Sequence, residues 1–319
     1  MKLSIVISAI GSKVDIFLAP LLKSINAIYP NIEIKIIGKD VPNANENLMK
    51  VLKDNYSCVR VSPGILKNIS WLQGLEIANS EWVLFLDADT LLLKPIDSYL
   101  EWCEKNKVEW LFTWRDYLPY WQNNGVKLIK KNENTLNFYR KLVSRGIENI
   151  KISKTGQYTF QELMDLDNQQ VSEIVNCKDK DKRFIFDKHN IKFGAVSCYY
   201  MNNIYTKKPL NDEIFILHYK SLLGMLILKD TKLNRYRNFL KYEIFDYKVD
   251  TLKNVNSRLE LWKNFAPPDT AENIIDVLVH YKKMISNDRG FFKAKRILSH
   301  FFIRFRNKVN NLISYSPDY

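Results

Sequence analysis

At 319 residues the chain is too long for one minimal domain and long enough for a sizeable core, so one large α/β domain with additions is expected. Hydrophobic residues at 46% and aromatic residues at 13% exclude a disordered chain. A net charge of +13 points to a polyanionic partner, whether nucleic acid, an acidic membrane surface or a phosphorylated ligand, and the location of the charge decides among them.

Cys58, Cys103, Cys177 and Cys198 are too scattered for a zinc site or a small disulfide framework, which points to a reducing, cytoplasmic home. The N-terminus has one basic residue ahead of a short β-branched run, a first strand rather than a signal peptide. No stretch approaches the roughly 20 apolar residues of a membrane span.

The N-terminal part of the chain alternates strand and helix. Leu3 to Ser8 reads as a strand, and Ile16 to Ile28 as a helix with Phe17, Leu18, Leu21, Leu22, Ile25 and Ile28 at helical spacing. Ile32 to Ile37 is a second strand, followed by a short polar helix near Asn45 to Lys53 and a short strand from Cys58 to Val61. Leu66, Ile69, Leu72, Leu75 and Ala78 then fall three or four apart, as in a helix packed on a sheet. This order predicts an α/β fold with a Rossmann-like, mainly parallel central sheet, right-handed crossovers and helices on both faces.

The stretch from Trp82 to Pro95 organises the rest. Trp82 to Leu86 is an unbroken apolar run of the kind buried on both faces of a parallel sheet, and it ends in Asp87-Ala88-Asp89. Carboxylates at that end of a strand stand where open α/β sheets bind ligands. Two other Asp-x-Asp triplets, Asp165 to Asp167 and Asp179 to Asp181, follow no buried strand. The latter reads as a solvated turn, and the former either as a surface segment or as part of an acceptor site. Position, rather than spacing, distinguishes the Asp87 triplet.

Phe85 to Asp97 resembles the "LDADTLVL..ID" signature of glycosyltransferase family 8, the glycogenin and lipopolysaccharide-galactosyltransferase group, with Asp87 and Asp89 on its two metal carboxylates. Trp121 to Ile129 is similar to that family's "FNSGVMLI" segment, with Asn123, Asn124 and Gly125 on its Asn-Ser-Gly. Asp167 to Val171 is similar to its Asp-Gln segment; Gln169 falls on the Gln beside the reacting carbon, and Asn168 replaces the Asp. Ile214 to Lys220 resembles the strand ending in a metal-binding His, here His218, although the family's later Pro-Lys pattern is absent from Ser221 to Met225.

The resemblance covers roughly residues 1–225 and implies a GT-A fold, with a nucleotide-sugar-binding half over 1–110 and an acceptor-binding half over 111–230. It implies a retaining, metal-dependent glycosyltransferase that moves a sugar from a UDP-linked donor to a glycan or glycolipid acceptor. By the same likeness Asp87, Asp89 and His218 hold Mn²⁺ or Mg²⁺, while Ser8, Ala88, Asn124 and Lys220 join the two acids around the donor. Asp167 and Gln169 would then be the catalytic pair. The chemistry accounts for the acids, because a departing nucleoside diphosphate carries charge that a cation held by hard oxygen ligands stabilises. A neutral imidazole is a good third ligand for such a cation. The competing reading makes His218 a hydrogen-bonded histidine at a sheet edge, and a catalytically silent carbohydrate-binding protein of the same fold is the competing function.

The opening also fits inverting family 2 enzymes through Leu3 to Ser8, Lys23 to Ile25, Asn31 to Ile34 and Gly74 to Ala78. Their Asp-Asp-Gly-Ser motif is missing, with Lys39 to Pro42 in its place, and so is their Gln-x-x-Arg-Trp signature. An inverting enzyme needs a carboxylate base, and Asp116, Asp165 and Asp167 are equal candidates. A retaining one needs none, because the leaving diphosphate takes the acceptor proton and Gln169 positions the sugar. Trp110, Trp114, Tyr117, Tyr120 and Trp121 either stack on sugars or pack the core.

Leu233 to Tyr247 and Leu252 to Phe265 read as helices of an extension over 231–275, and a basic amphipathic tail follows over 276–319. From Ile274 to Ile313 there are nine Lys and Arg against Asp276 and Asp288, interleaved with Phe291, Phe292, Phe301, Phe302 and Phe305. That pattern suits an anionic membrane surface or docking on the protein, and no nucleic-acid motif accompanies it. The expected location is therefore peripheral, on the cytoplasmic face of a membrane.

Overall fold

A computed structural model of the chain describes residues 2–10, 14–38, 63–116, 121–149, 156–205, 208–219, 223–224, 227 and 249–267. The polar helix expected near Asn45, the strand from Cys58, the residues Tyr117, Tyr120 and Lys220, and the basic tail lie outside these.

Strand β1 (Leu3–Ser8) pairs in parallel with β2 (Glu33–Ile37) on one side and with β3 (Trp82–Asp87) on the other. Both β1 and β3 are buried at nearly every position because helices cover both faces of the sheet. Helix α1 (Val14–Ile28) packs Leu18, Leu21 and Ile25 with Ile5, Ile7, Leu84 and Leu86 on one face. Helix α2 (Pro63–Ile77) packs Trp71 and Leu75 with Val6, Val83 and Phe85 on the other. The alternation of strand residues between the two clusters is the period of two expected of extended chain. Helix α2 approaches β1 closely at Gly74, where a Cβ would stand 2.3 Å from Val6 Cγ1.

The chain continues through β4 (Thr90–Leu92), α3 (Asp97–Asn106), β5 (Trp110–Trp114), β6 (Gln122–Lys130) and α4 (Glu133–Asn149). After α5 (Gly156–Met164) and α6 (Asn168–Val175) come β7 (Phe184–Lys188), β8 (Ile191–Ser197) and the short α7 (Cys198–Met201). Strand β9 (Ile216–His218) and helix α8 (Val249–Phe265) complete the described elements. Seven strands form one sheet in the order β2-β1-β3-β6-β5-β8-β7, and β4 pairs with β9 in a separate ribbon. Strands β6 and β7 run antiparallel to their neighbours, and the other five strands of the sheet point the same way. The expected α/β architecture with a mainly parallel sheet is thus observed.

Two features of this layout bear on function. The chain steps from β1 to β2 on one side and then to β3 on the other, so the strand order reverses between β1 and β3. Open α/β sheets bind ligands at such a point, outside the carboxyl ends of the strands. Along the β5–β6 pair the register slips: Phe112 faces Lys127, but Thr113 faces Asn123. The slip bulges Asn124 to Val126 outward, as β-bulges do near sites that need a re-aimed backbone.

The tryptophans that the sequence left open between sugar stacking and packing are core. Trp110, Trp114 and Trp121 are buried, and Trp110 stacks on Tyr139 with ring centroids 5.0 Å apart. Helix α8 belongs to the α/β body as well, since Val255, Leu259 and Trp262 share a cluster with Phe17, Leu91 and Leu217. Each such buried side chain stabilises that docking by about 1.5–3 kcal/mol. No helix among the described residues is long and apolar enough to cross a membrane.

Candidate metal centre

Strand β3 delivers Asp87 to the carboxyl edge of the sheet at the switch of strand order, and the turn through Ala88 brings Asp89 beside it before β4 begins. The Thr90 hydroxyl closes this turn by donating to the Asp87 carbonyl at 2.7 Å. Strand β9 pairs with β4 so that His218 lies opposite Thr90, and Tyr219 N–H donates to the Asp89 carbonyl at 2.7 Å. Ligand atoms of Asp87, Asp89 and His218 therefore lie within 4.8 Å of one another. His218 Nε2 is 3.1 Å from Asp89 Oδ1 and 3.7 Å from Asp87 Oδ2.

The histidine is aimed by its neighbours. Nδ1–H donates to Asn202 Oδ1 at 2.9 Å, which leaves Nε2 turned toward the acids. Asn202 is itself oriented by its Nδ2, which donates to Thr113 Oγ1 at 3.2 Å. The bulge in β6 places Gly125 against the imidazole, where a Cβ would stand 2.6 Å from His218 Cε1 and 2.7 Å from Nδ1. Only glycine leaves room for the ring. Gly125→Ala should push His218 off the carboxylates and weaken divalent-metal binding by about tenfold or more, measured by titrating Mn²⁺. Unchanged affinity would show that the ring tolerates the methyl group.

Two carboxylates and one neutral imidazole suit Mg²⁺ or Mn²⁺, and the acids would offset much of a divalent cation's charge. Burial pushes the Asp89 carboxyl up, but in the metal-free site the charge and hydrogen bond of His218 in its protonated form, with Lys67 behind them, outweigh burial and hold it below the usual carboxylate range. It is ready as an anionic ligand.

Lys67 is a site residue that the sequence did not disclose. From α2 its Nζ lies 3.0 Å from Asp87 Oδ1 and 3.1 Å from Asp87 Oδ2, and it donates to the Asn124 carbonyl at 2.9 Å. Helical spacing marks Leu66 and Ile69 as inward-facing and leaves Lys67 looking like a solvent-side lysine. The close seating of α2 on β1 is what carries it to the carboxyl edge.

Ser8 ends β1 directly opposite Asp87 in the β1–β3 register, and Ala88 sits in the turn between the acids. Asn124 is buried, with its Nδ2 donating to Asn68 Oδ1 at 3.1 Å. The structure thus gathers Ser8, Asp87, Ala88, Asp89, Asn124 and His218 at one edge. Asp167 is the N-cap of α6, accepting from Gln170 N–H at 2.8 Å in a capping box. Gln169 is exposed on α6 and reaches Glu173 at 3.5 Å, so the hydrogen bonds of both side chains stay within that helix. Asp165 follows α5 in the left-handed region, at φ 44°. Asp116 follows β5 at the same edge of the sheet as Asp87, accepting from Tyr205 Oη at 2.9 Å and from Lys180 Nζ at 3.2 Å. Burial raises the Asp116 carboxyl, but the Tyr205 hydroxyl and the Lys180 ammonium hold it below its ordinary value. His189 lies outside this cluster, with Nε2 2.7 Å from the Leu163 carbonyl.

No family model matches the chain, and no curated protein matches it. Among solved structures it is similar to a glycosyltransferase involved in glycosylation of the major capsid of PBCV-1, with 13% identity over 69% of this chain and 96% of that one and a TM-score of 0.43. It is similar to the glycosyltransferase GlyE of Streptococcus pneumoniae TIGR4, with 12% identity over 69% of this chain and 56% of that one and a TM-score of 0.42. It is also similar to the galactosyltransferase LgtC solved with donor and acceptor sugar analogs, with 14% identity over 69% of this chain and 87% of that one and a TM-score of 0.33.

Proposed function

We propose that the chain is a metal-dependent glycosyltransferase that moves a sugar from a UDP-linked donor to a glycan or glycolipid acceptor. The observation that carries this reading is the convergence of Asp87 and Asp89, on the β3–β4 turn, with His218 from the distant strand β9 at the switch of strand order. A divalent cation bound there would act as a Lewis acid on the departing diphosphate. Asp89 and His218 Nε2 would hold it with Asp87. The Lys67 ammonium, already seated on Asp87, adds a fixed positive charge at the edge where an anionic donor would lie. Ser8, Ala88 and Asn124 would line the donor, Lys220 would pair with a phosphate oxygen, and Gln169 with Asp167 would act on the sugar. In this reading residues 1–110 form the donor half and 111–230 the acceptor half, with transfer by retention.

One observation favours a second stereochemical outcome. Of the three candidate bases, Asp116 alone follows a strand of the main sheet at the edge that carries Asp87. Inversion with Asp116 as base would follow, and NMR of the product's anomeric configuration separates the two. The reading as a whole is tested by incubating the chain with a panel of nucleotide-sugars and Mn²⁺. Metal-dependent release of nucleoside diphosphate supports it, and none across the panel would leave only a carbohydrate-binding role.

We extend the proposal to the tail at 276–319, whose nine cations among aromatics would hold the enzyme on an anionic membrane where lipid-linked acceptors reside. Sedimentation with anionic liposomes should recover the full chain and lose one cut after Asp269. Equal recovery of both would end the membrane part of the proposal.

A further inference from the structure

Helix α8 contributes no residue to the metal centre, yet it carries a side chain that apolar packing does not explain. Arg258 is fully buried, and among the described residues its guanidinium pairs with no carboxylate. Its Nη1 donates to the Asn254 carbonyl at 3.1 Å, and its Nη2 to Asn203 Oδ1 at 3.3 Å and to the Tyr205 carbonyl at 2.6 Å. Its Nε has no hydrogen-bond partner among the described residues. Desolvation lowers its pKa to about 10 in spite of the opposing influence of Tyr219 and Tyr199. Burying a guanidinium is costly, so its presence calls for a reason.

The hydrogen bonds that leave Arg258 lead to His218 from both sides. Asn203 N–H donates to the Ile216 carbonyl at 2.8 Å, and His218 N–H donates to the Asn203 carbonyl at 2.9 Å, so the Asn203 segment lies along β9 as an extra partner. Asn202, next in the chain, is the residue whose Oδ1 aims the imidazole. On the other side, Tyr219 follows His218, donates its N–H to Asp89 and donates its Oη to the Arg258 carbonyl at 2.8 Å. The side chain of Arg258 thus anchors the segment that orients the ring, and its backbone anchors the residue that ties the histidine strand to Asp89.

We propose that Arg258 is a positioning residue for the metal centre, acting from α8 to hold Asn202 and His218 in register with Asp87 and Asp89. This rests on reading Asp87, Asp89 and His218 as metal ligands. A purely structural role would be to fill the helix interface, which Leu259 and Trp262 already do with apolar surface. The guanidinium differs from them in the carbonyl and amide it grips.

Two readouts test the proposal on the full chain, with melting curves recorded alongside. The first is Mn²⁺ affinity, followed through the EPR signal of the free ion. Arg258→Met should raise the Mn²⁺ dissociation constant about 10- to 100-fold, as loss of an outer hydrogen-bonding partner of a metal ligand does. Arg258→Lys should fall between it and wild type, since one ammonium can replace some of these bonds. Tyr219→Phe should shift affinity in the same direction by less. Leu259→Ala should lower the melting temperature and leave Mn²⁺ affinity within about twofold of wild type, because it removes packing and no hydrogen bond. The second readout is solvent exchange of the His218 Nδ1 proton by NMR, which needs no metal and should accelerate about tenfold or more in Arg258→Met.

Affinity and exchange within about twofold of wild type in Arg258→Met would overturn the proposal. Should that variant not fold, the same result in both Arg258→Lys and Tyr219→Phe would overturn it. A loss of affinity in Leu259→Ala equal to that in Arg258→Met would also overturn it, by showing that helix packing alone is responsible. If wild type binds no divalent cation but the Nδ1 proton still loses protection in Arg258→Met, the positioning role stands and the metal reading falls.

Discussion

On the proposed function, Asp89→Ala should lower metal-dependent turnover of the donor by about 10³-fold, equivalent to roughly 4 kcal/mol of lost transition-state stabilisation. The size follows from what Asp89 touches. It faces His218 Nε2 at 3.1 Å, and its backbone carbonyl anchors the residue after that histidine, so the side chain completes the cluster while the backbone holds the strand. Removing the carboxylate takes one of the two proposed anionic ligands and leaves the ribbon of β4 and β9 paired. The fall should therefore appear with little change in melting temperature, and excess Mn²⁺ should restore only part of it. Asp89→Asn, which keeps the shape and removes the charge, should behave similarly. Turnover of either variant within about threefold of wild type, measured as nucleoside diphosphate released with saturating Mn²⁺, would remove Asp89 from the mechanism.

Lys127→Met should make the protein more stable. Lys127 lies in β6, fully buried, with its Nζ 5.1 Å from the ring centroid of Trp71, 5.3 Å from Tyr139, 5.6 Å from Trp110 and 5.6 Å from Phe160. No hydrogen-bond partner for Nζ exists among the described residues. Desolvation, reinforced by the nearby charge of Lys67 and only partly opposed by Asp87, drives its pKa well below the ordinary lysine value. The cage of rings favours a cation but does not replace water. Methionine has nearly the same length and no polar atom, so the substitution should stabilise by about 1–3 kcal/mol.

The sign with pH is distinctive. Between the lowered folded value and the ordinary lysine value of about 10.4, the unfolded chain holds a proton on Lys127 that the folded chain lacks. Stability of the wild type should therefore rise with pH across that window, relative to Lys127→Met, by about 1.4 kcal/mol per pH unit. Urea melts of both proteins at a series of pH values measure the difference. A difference that does not change with pH would mean that Lys127 stays protonated inside its aromatic cage.

Much of the fold was legible because periodicity reports burial. The two-faced apolar strand ending at Asp87 and the flanking helices follow from residue spacing, and the helices run Val14–Ile28 and Pro63–Ile77 where spacing placed them from Ile16 and Leu66. The tryptophans could not be assigned in the same way, because an aromatic residue after a strand is equally suited to packing and to stacking on a sugar. Burial of Trp110, Trp114 and Trp121 decided it. The three candidate bases were indistinguishable in sequence, since an aspartate in a loop carries no mark of where the loop goes. The β5–β8 register puts Asp116 at the strand ends, and the capping box occupies Asp167 at a helix start.

By itself the sequence determined the α/β class and the strand whose end bears Asp87 and Asp89, because a run of apolar residues meeting two acids has one stable placement in a sheet. It also marked His218 as a histidine at a strand end. Tertiary structure alone decided that His218 lies 3.1 Å from Asp89, that Gly125 clears space for its ring, and that Lys67 and Arg258 serve the same edge. These contacts join residues far apart in the chain and depend on a bulge, a close helix seat and a C-terminal helix docked by its apolar face. None of these leaves a local pattern, because long-range packing sets which side chains meet, while periodicity records only which face is buried.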